Sequence, residues 1–206
     1  MSAQRDTNKI TNPCIRPTSE IEQNKPMYDP EQHHRHSIRL KEYDYSNEGF
    51  YFVTICVHGH YSLFGSIING VMHVNDAGRM IEKWYHRCAE HFPDIECHEM
   101  VVMPNHFHCI WRNVGADRCV CPTNTNTTKG EPMCSPLHRI VQWFKTMTTN
   151  AYINGVKQYG WQPFNTRLWQ RNYYEHIIRD QHSYENIIAY IIENPAHWRD
   201  DELYIE

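Results

Sequence analysis

The sequence has no long hydrophobic run, and we expect no secretory leader. Its longest apolar stretch, residues 51–57, is far shorter than the roughly 20 residues that a membrane helix needs. The N-terminus lacks the charged segment followed by an apolar one that is typical of a signal peptide. We therefore expect a cytoplasmic protein with no membrane partner, in which the eight cysteines are reduced thiols.

Three common functional motifs are also missing. The chain has no phosphate-binding Walker loop, no dinucleotide-binding glycine pattern and no helical His-Glu-x-x-His. Nucleotide-binding and metalloprotease functions therefore have no support. The composition is that of a folded protein, because 40% apolar and 13% aromatic residues are enough to bury a core.

Positive charge is not in excess, with 20 Lys and Arg against 24 Asp and Glu. The tails carry the imbalance, and residues 33–195 hold 15 of each sign. A neutral body argues against extended non-specific binding to duplex DNA, which needs many phosphate contacts. The 15 histidines are unusual, and they suit metal ligands, bases or a surface whose charge depends on pH.

Periodicity predicts one α+β domain. Aromatic and β-branched segments predict strands over 50–57, 65–74 (with a turn at Asn69-Gly70), 95–103, 106–112 and 168–178. Helical spacing predicts helices over 76–91, 136–154 and 183–194. This order favours an antiparallel sheet with helices packed on it. We divide the chain into a flexible leader (1–35), a domain (36–198) with a loop insertion at about 115–135, and an acidic tail (199–206).

Two histidines on one predicted strand are the sharpest local signal. Side chains two residues apart on a strand point to the same face, so His106 and His108 project together. Two neutral imidazole nitrogens at a fixed separation suit a divalent metal. The alternative is two half-exposed strand histidines with no ligand.

A second signal lies on the last predicted helix, where Tyr190 and Asn194 are four residues apart and share a face. Beside a metal-bound phosphate a phenol can attack phosphorus, which gives a covalent phosphotyrosine. The amide oxygen of Asn194 is then a candidate third metal ligand. The alternatives are a core tyrosine and a helix-capping asparagine before Pro195.

A rival metal site uses three thiols and one imidazole. Such a set can hold zinc tetrahedrally, but a Cys-x-Cys spacing is tighter than that of the usual zinc finger. The residues concerned are Cys119, Cys121, Cys134 and His138.

Four blocks of the sequence, spread over about residues 36–198, resemble the REP-associated tyrosine transposases of the HUH endonuclease group. The His-Phe-His that follows Met-Pro-Asn and the Tyr-x-x-x-Asn-Pro ending are specific in combination. The blocks are Ser37-Ile-Arg-Leu-Lys-Glu-Tyr-Asp-Tyr45, Val101-Val-Met-Pro-Asn-His-Phe-His108, Ile140-Val-Gln-Trp-Phe-Lys-Thr146 and Leu168-Trp-Gln-Arg-Asn-Tyr-Tyr-Glu-His-Ile-Ile-Arg179.

The resemblance implies a ferredoxin-like or RRM-like HUH fold and a single-stranded DNA endonuclease and strand transferase. His106, His108 and Asn194 would then bind Mg²⁺ or Mn²⁺, and Tyr190 would be the nucleophile that keeps the 5′ phosphate. The implied substrate is a palindromic repeat extruded as an imperfect hairpin with an unpaired flanking tetranucleotide, and the implied state is a monomer or a homodimer. Two alternatives stay open: a non-catalytic hairpin binder, and a metal-dependent nuclease without a covalent step.

Other side chains compete for these roles or complement them. Tyr173, Tyr174 and Tyr184 are alternative nucleophiles, although sheet packing accounts for the first two. Basic residues near the resembling blocks suit phosphate contacts, with a solvated surface charge as the alternative. The candidate DNA-binding residues are Arg35, Arg39, Lys41, Arg139, Lys145 and Arg171.

Overall fold

A computed structural model describes residues 47–115 and 136–204. Within them lie six strands, three α-helices and two short 3₁₀ segments, His58–His60 and Asn194–Asp200. The α-helices are α1 (Asp76–His91), α2 (Pro136–Tyr159) and α3 (Gln181–Glu193). The strands are β1 (Gly49–Cys56), β2 (Gly65–Ile68), β3 (Val71–Val74), β4 (Ile95–Val102), β5 (His106–Asn113) and β6 (Tyr174–Ile178).

Four of the strands form an antiparallel sheet in the order β4-β5-β1-β6. β1 and β5 are the inner strands, and their register pairs Thr54 with His108 and Cys56 with His106. β2 and β3 form a separate hairpin. Its turn, Asn69-Gly70, has positive φ angles of 52° and 76°, which fits the preference of Asn-Gly for tight hairpin turns.

The two faces of the sheet bury different helices. Because strand side chains alternate, one face of β1 and β5 carries residues such as Tyr51, Val53 and Phe107, which pack into a large core with α1 and α2. The opposite face carries Phe52 and Ile110, which pack against α3 in a smaller apolar cluster. The two candidate histidines lie on the α3 face.

The predicted fold class, α+β with helices on an antiparallel sheet in a single domain, is confirmed. α1 begins and ends where the periodicity places it. Its start is capped by Asn75, whose side chain accepts a hydrogen bond from Gly78 N. Segment 65–74 forms the hairpin β2–β3 rather than one broken strand.

Other boundaries differ from the predictions as well. α3 begins at Gln181 rather than at Ser183, because the Asp180 side chain accepts a hydrogen bond from Ser183 N and caps the helix. α2 continues past Asn154 to Tyr159, because Gly155 does not end the helix but makes room for Trp161, whose ring would lie 2.2 Å from an added Cβ. In 168–178 the sheet strand is limited to β6. Before it, Trp169 forms an isolated antiparallel bridge with Val57, and the pairing then stops where Lys145 donates hydrogen bonds to the carbonyls of residues 170–172.

Several predicted features fall outside the described residues. These are the leader 1–35, the basic residues Arg35, Arg39 and Lys41, and the part of the loop that carries Cys119, Cys121 and Cys134. Within residues 47–115 and 136–204, no helix has the length and apolar character needed to cross a bilayer.

Candidate metal centre

The histidine pair lies on an inner strand and is fully enclosed. His106 and His108 are 0% and 1% exposed, so the alternative of two half-exposed strand histidines is wrong about their exposure. Their Nε2 atoms are 2.9 Å apart. Burial lowers the pKa of His108 to about 3, and burial together with the neighbouring His108 lowers the pKa of His106 well below its ordinary value. Both rings are therefore neutral at physiological pH, and neutral imidazole is the form that binds metals.

Asn105 fixes the tautomer of His106. The Asn105 amide nitrogen donates to two backbone carbonyls, those of His60 at 3.1 Å and Leu203 at 2.8 Å. This orients the amide oxygen toward His106 Nδ1 at 2.9 Å. Because an amide oxygen can only accept, His106 carries its proton on Nδ1 and presents a lone pair at Nε2.

Thr54 permits either tautomer of His108, because its hydroxyl lies 2.8 Å from His108 Nδ1 and can donate or accept. When the hydroxyl donates, His108 carries its proton on Nε2, and this N–H can donate a hydrogen bond to the lone pair of His106 Nε2. When the hydroxyl accepts, His108 Nε2 presents a second lone pair beside the first. The second arrangement offers both nitrogens to a cation.

Asp201 adds a carboxylate to the pair. Its Oδ2 lies 3.9 Å from His106 Nε2, and the side chain is 9% exposed. Burial raises the pKa of Asp201, whereas the Leu203 N–H, which donates to Oδ1 at 2.6 Å, opposes that rise. His106, His108 and Asp201 offer ligand atoms that all lie within 4.8 Å of one another.

Asn194 lies beside this cluster at the end of α3. It is 4% exposed, and its amide hydrogen-bonds to Asp201 and to Tyr190. Its Oδ1 has no hydrogen-bond partner among residues 47–115 and 136–204, although a buried amide oxygen normally has one. The predicted capping role does not account for this oxygen, and its role as a third ligand remains a prediction.

The side chains at the centre fit a divalent cation. Two neutral imidazoles and a carboxylate form a ligand set suited to Mn²⁺, Fe²⁺ or Zn²⁺ more than to Mg²⁺, which prefers oxygen ligands. The hydrogen bonds that the outer ring nitrogens make with the Asn105 amide oxygen and the Thr54 hydroxyl are the support that metal-binding histidines usually have. The Asn194 oxygen, which has no hydrogen-bond partner among the residues that the structure describes, is a further candidate ligand atom.

Tyr190 contacts the histidine pair from α3. Its ring centroid lies 5.4 Å from that of His108 and 5.9 Å from that of Phe52. Burial raises the pKa of Tyr190 to about 12, and the charge of Asp201 adds to the rise, while the Asn194 hydrogen bond opposes it. The phenol is thus protonated in this structure, and it is placed beside the candidate metal ligands.

The competing tyrosines lie in three different environments. Tyr173 faces the opposite side of the sheet, where Lys145 Nζ lies 5.4 Å from its ring centroid. Tyr184 Oη lies 2.9 Å from His98 Nδ1, near the start of α3. Tyr174 pairs with Thr54 and lies on the face of the histidines, so it is the rival closest to the site. Burial raises the pKa of Tyr174 as well.

Two of the predicted DNA-binding residues already have partners within the protein. Arg139 forms a 2.6 Å ion pair with Asp94 and lies over the ring of Phe92. Lys145 donates to the three carbonyls before β6. Arg171 is exposed. All three lie on α2 or on the segment beside it, away from the α3 face.

Sequence reasoning missed three residues of this centre: Thr54, Asn105 and Asp201. Asn105 directly precedes the histidine strand, but the Pro104-Asn105 pair indicates a turn and hides the role of the amide. Thr54 shares the face of the histidines only through the β1–β5 register. Asp201 belongs to the segment predicted as an acidic tail, and the sequence does not signal that Leu203 is buried and anchors that segment on the sheet.

Together, the fold and the site define an α+β protein with a candidate divalent-metal centre and a tyrosine beside it. A protein of Haemophilus influenzae with no characterised function is 39% identical over 181 residues, which cover 84% of this chain and 95% of that protein. The chain therefore belongs to the same family as that protein. No family model matches the sequence.

Two solved structures are similar at low identity. One is a REP-associated tyrosine transposase bound to a REP hairpin, with a TM-score of 0.43, 19% identity, and coverage of 76% of this chain and 73% of that one. The other is a candidate transposase of Deinococcus radiodurans, with a TM-score of 0.41, 15% identity, and coverage of 76% and 96%. At such TM-scores neither similarity carries an argument about this chain.

Proposed function

We propose that this protein is a metal-dependent, single-tyrosine endonuclease and strand transferase that acts on single-stranded DNA extruded as palindromic repeat hairpins. The observation that carries the proposal is the position of the Tyr190 ring against His108, at the cluster that also contains His106 and Asp201. A nucleophile beside a candidate phosphate-activating cation is the arrangement that covalent phosphoryl transfer needs. The sequence resemblance to REP-associated tyrosine transposases supports the same reading.

Each side chain has a stated task in this proposal. His106, His108 and Asp201 hold a divalent cation, with Asn194 as a further ligand. When bound, the cation supplies Lewis-acid polarisation of the scissile phosphate. Tyr190 Oη forms a bond to phosphorus, and the bond from phosphorus to the 3′ oxygen breaks. The phenolic proton passes to a nearby base or to solvent, and the leaving 3′ oxygen takes up a proton to become a hydroxyl. Attack by a 3′ hydroxyl reverses the step and joins strands.

Access is a requirement of the proposal. The ring of Trp198 lies 5.8 Å from that of His106, and Leu203 accepts a hydrogen bond from Asn105, so the C-terminal segment covers the histidine pair. A phosphate must therefore approach the cation past Trp198 and Leu203, and because Asp201 lies between them, the proposal requires that their contacts open while Asp201 stays beside His106. The segment contacts the sheet through a small cluster that includes Cys56 and Met103.

A cleavage assay tests the proposal. Labelled single-stranded hairpins made from repeats that flank the gene are incubated with the full chain in Mn²⁺ or in chelator. We expect cleavage and a denaturant-resistant protein–DNA adduct in Mn²⁺, and neither in chelator. Tyr190→Phe should lose both products but still bind Mn²⁺, because the phenol is not among the candidate ligands.

Tyr174→Phe is the matched control, since it removes a phenolic hydroxyl from a tyrosine on the same face of the sheet. It should retain cleavage and the adduct. Cleavage that persists in Tyr190→Phe without an adduct would favour the metal-dependent nuclease with no covalent step. Hairpin binding without cleavage under every condition would favour the non-catalytic binder.

A further inference from the structure

A groove of about 570 Å³ runs between α2 and the segment that leads to β6. Among the described residues that line it, none is Asp or Glu, although acidic residues outnumber basic ones 24 to 20 in the whole chain. Its lining includes Lys145, Arg167 and Arg171, together with neutral hydrogen-bonding side chains such as Gln142 and Thr149. This charge pattern is complementary to an anion.

Arg167 and Arg171 are the cations that an incoming anion can reach. Both side chains are exposed, and neither forms an ion pair with another residue in 47–115 or 136–204. Lys145 instead holds the backbone beneath them, with its ammonium 3.0 Å from the carbonyl oxygens of Gln170 and Asn172. A guanidinium fork is well matched to phosphate oxygens, so two of them in one groove suit a phosphodiester chain.

Thr166 gives the groove a second unusual feature. It adopts a φ of 59°, a left-handed conformation that is rare for a β-branched residue. The Arg167 N–H donates to Asn165 O at 2.6 Å across this tight turn. Strained backbone of this kind persists where the surrounding structure enforces it and is concentrated at binding sites. Here it sets the position of Arg167 at the edge of the groove.

The groove opens on the α2 side of the sheet, and hydrogen bonds connect one of its walls to the strands that carry the candidate metal centre on the other face. Gln170, which lines it, donates its backbone N–H to Cys56 O at 2.9 Å, and Cys56 is paired with His106 on its other side. Two interstrand spacings, about 10 Å, therefore separate the edge of the groove from the histidine strand.

A chain of hydrogen bonds follows the same route. The Gln170 amide nitrogen lies 3.0 Å from His60 Nε2, and the His60 carbonyl accepts from Asn105. Asn105 in turn accepts from His106 Nδ1. The wall of the groove and the support of a candidate metal ligand are thus parts of one hydrogen-bonded unit.

We propose that this groove binds the sugar–phosphate backbone of the single DNA strand that continues from the cleavage site, with Arg167 and Arg171 contacting successive phosphates. This inference rests on the proposed function, because it takes its ligand from it. The resemblance already implies an unpaired flanking strand, and the inference adds where that strand lies on this chain and which two arginines contact its phosphates.

The test is equilibrium binding of the full chain to a labelled hairpin with and without an oligodeoxythymidine tail, on either the 5′ or the 3′ side. The variant is Arg167→Ala/Arg171→Ala. The control is Lys83→Ala/Lys157→Ala, which removes the same net charge from exposed positions outside the groove. Thermal unfolding of both variants checks that they fold.

The tail should strengthen binding by the unaltered chain and by the lysine variant. In the arginine variant the gain from the tail should fall by about tenfold or more, because charge-assisted hydrogen bonds are lost. The slope of log affinity against log salt should become shallower by about 1.4, the value for two single-strand phosphates. Affinity for the tailless hairpin should not change.

If the tail effect and the salt slope are equal in the arginine and lysine variants, the flanking strand does not bind in this groove. That outcome is separate from failure of the proposed function, which appears as absence of the covalent adduct in the unaltered chain. Loss of affinity for the tailless hairpin equal to the loss for the tailed one would also overturn the proposal, since it would place the arginines on the stem.

Discussion

The hydrogen bonds around two imidazoles decide what this site can bind. His106 is held in one tautomer by an asparagine whose own amide is fixed by two carbonyls, whereas His108 faces a hydroxyl that accepts or donates. One histidine is therefore ready to bind a cation, and the other becomes ready when Thr54 turns its hydroxyl hydrogen away from the ring. The Nε2 atoms of the two buried imidazoles are 2.9 Å apart. Without Asn105 and Thr54, their Nδ1 atoms would have no hydrogen-bond partner, which is costly in a buried, low-dielectric site.

Asn105→Ala tests this arrangement. The His106 Nδ1–H loses its acceptor and the ring loses its orientation, so Mn²⁺ affinity should fall by about 10- to 100-fold. The buried donor left without a partner should lower the free energy of unfolding by about 1–3 kcal/mol. Titration calorimetry with Mn²⁺ and thermal unfolding in chelator give the two numbers.

Asn154→Ala, the same substitution at an exposed position of α2, is the control and should change neither quantity appreciably. Equal Mn²⁺ affinity in Asn105→Ala and the unaltered chain would mean that the cation does not bind at His106.

Part of the centre could be predicted from the residue pattern. The two-residue period of a strand places His106 and His108 on one face, and the four-residue spacing on a helix places Tyr190 and Asn194 together. Asp201 could not be predicted, because no local period links it to β5. Its position follows from burial of Leu203 against the sheet, a packing event between segments distant in sequence.

The secondary-structure elements follow local signals except where tertiary contacts override them. α1 has both its cap and its apolar stripe in sequence, and it forms as predicted. α2 passes through the Asn154-Gly155 pair that indicates a helix end, because Trp161 packs on the Gly155 backbone and covers it. A tertiary contact also interrupts the strand before β6: residues 168–170 hydrogen-bond to Cys56 and His58, but the next carbonyls, up to Asn172, bind the Lys145 ammonium.

Gly155→Ala tests this account of α2. On an isolated helix, alanine would stabilise relative to glycine by about 1 kcal/mol. Here the new Cβ would meet the Trp161 ring, with its nearest atom at 2.2 Å, so we expect a net loss of about 1–3 kcal/mol of unfolding free energy. Denaturant unfolding measures the change.

The neighbouring exposed substitution Asn154→Ala gives the propensity effect alone and should be neutral or slightly stabilising. An increase in stability for Gly155→Ala would show that Trp161 moves aside at little cost, and the packing explanation of the helix end would then be wrong.

For the molecule as a whole, the enclosed histidine pair couples stability to pH. Both folded-state pKa values lie below the ordinary 6.5, and that of His108 lies near 3. Between these values the unfolded chain binds more protons than the folded one, so the free energy of unfolding falls as the pH falls below 6.5. The slope is about 1.4 kcal/mol per pH unit for each histidine.

This dependence is measured by denaturant unfolding in chelator from pH 7.5 down to about 5, above the range in which most carboxylates titrate. His108→Gln should have a shallower slope than the unaltered chain, because one buried imidazole is gone. His86→Gln, at an exposed position, is the control and should keep the full slope. Identical slopes in all three proteins would mean that His108 is not held neutral in the folded state.

If the proposed function holds, the neutral body of the chain and the confined cationic groove predict recognition of DNA shape rather than of bulk negative charge. The central claim, however, is that Tyr190 Oη is the nucleophile that attacks the scissile phosphate. The most direct measurement is therefore peptide mapping by mass spectrometry of the denaturant-resistant adduct that forms on a single-stranded hairpin in Mn²⁺. The account predicts a nucleotide phosphate on the peptide that contains Tyr190, and no adduct in Tyr190→Phe. A phosphate carried by Tyr174, or cleavage without any modified tyrosine, would contradict it.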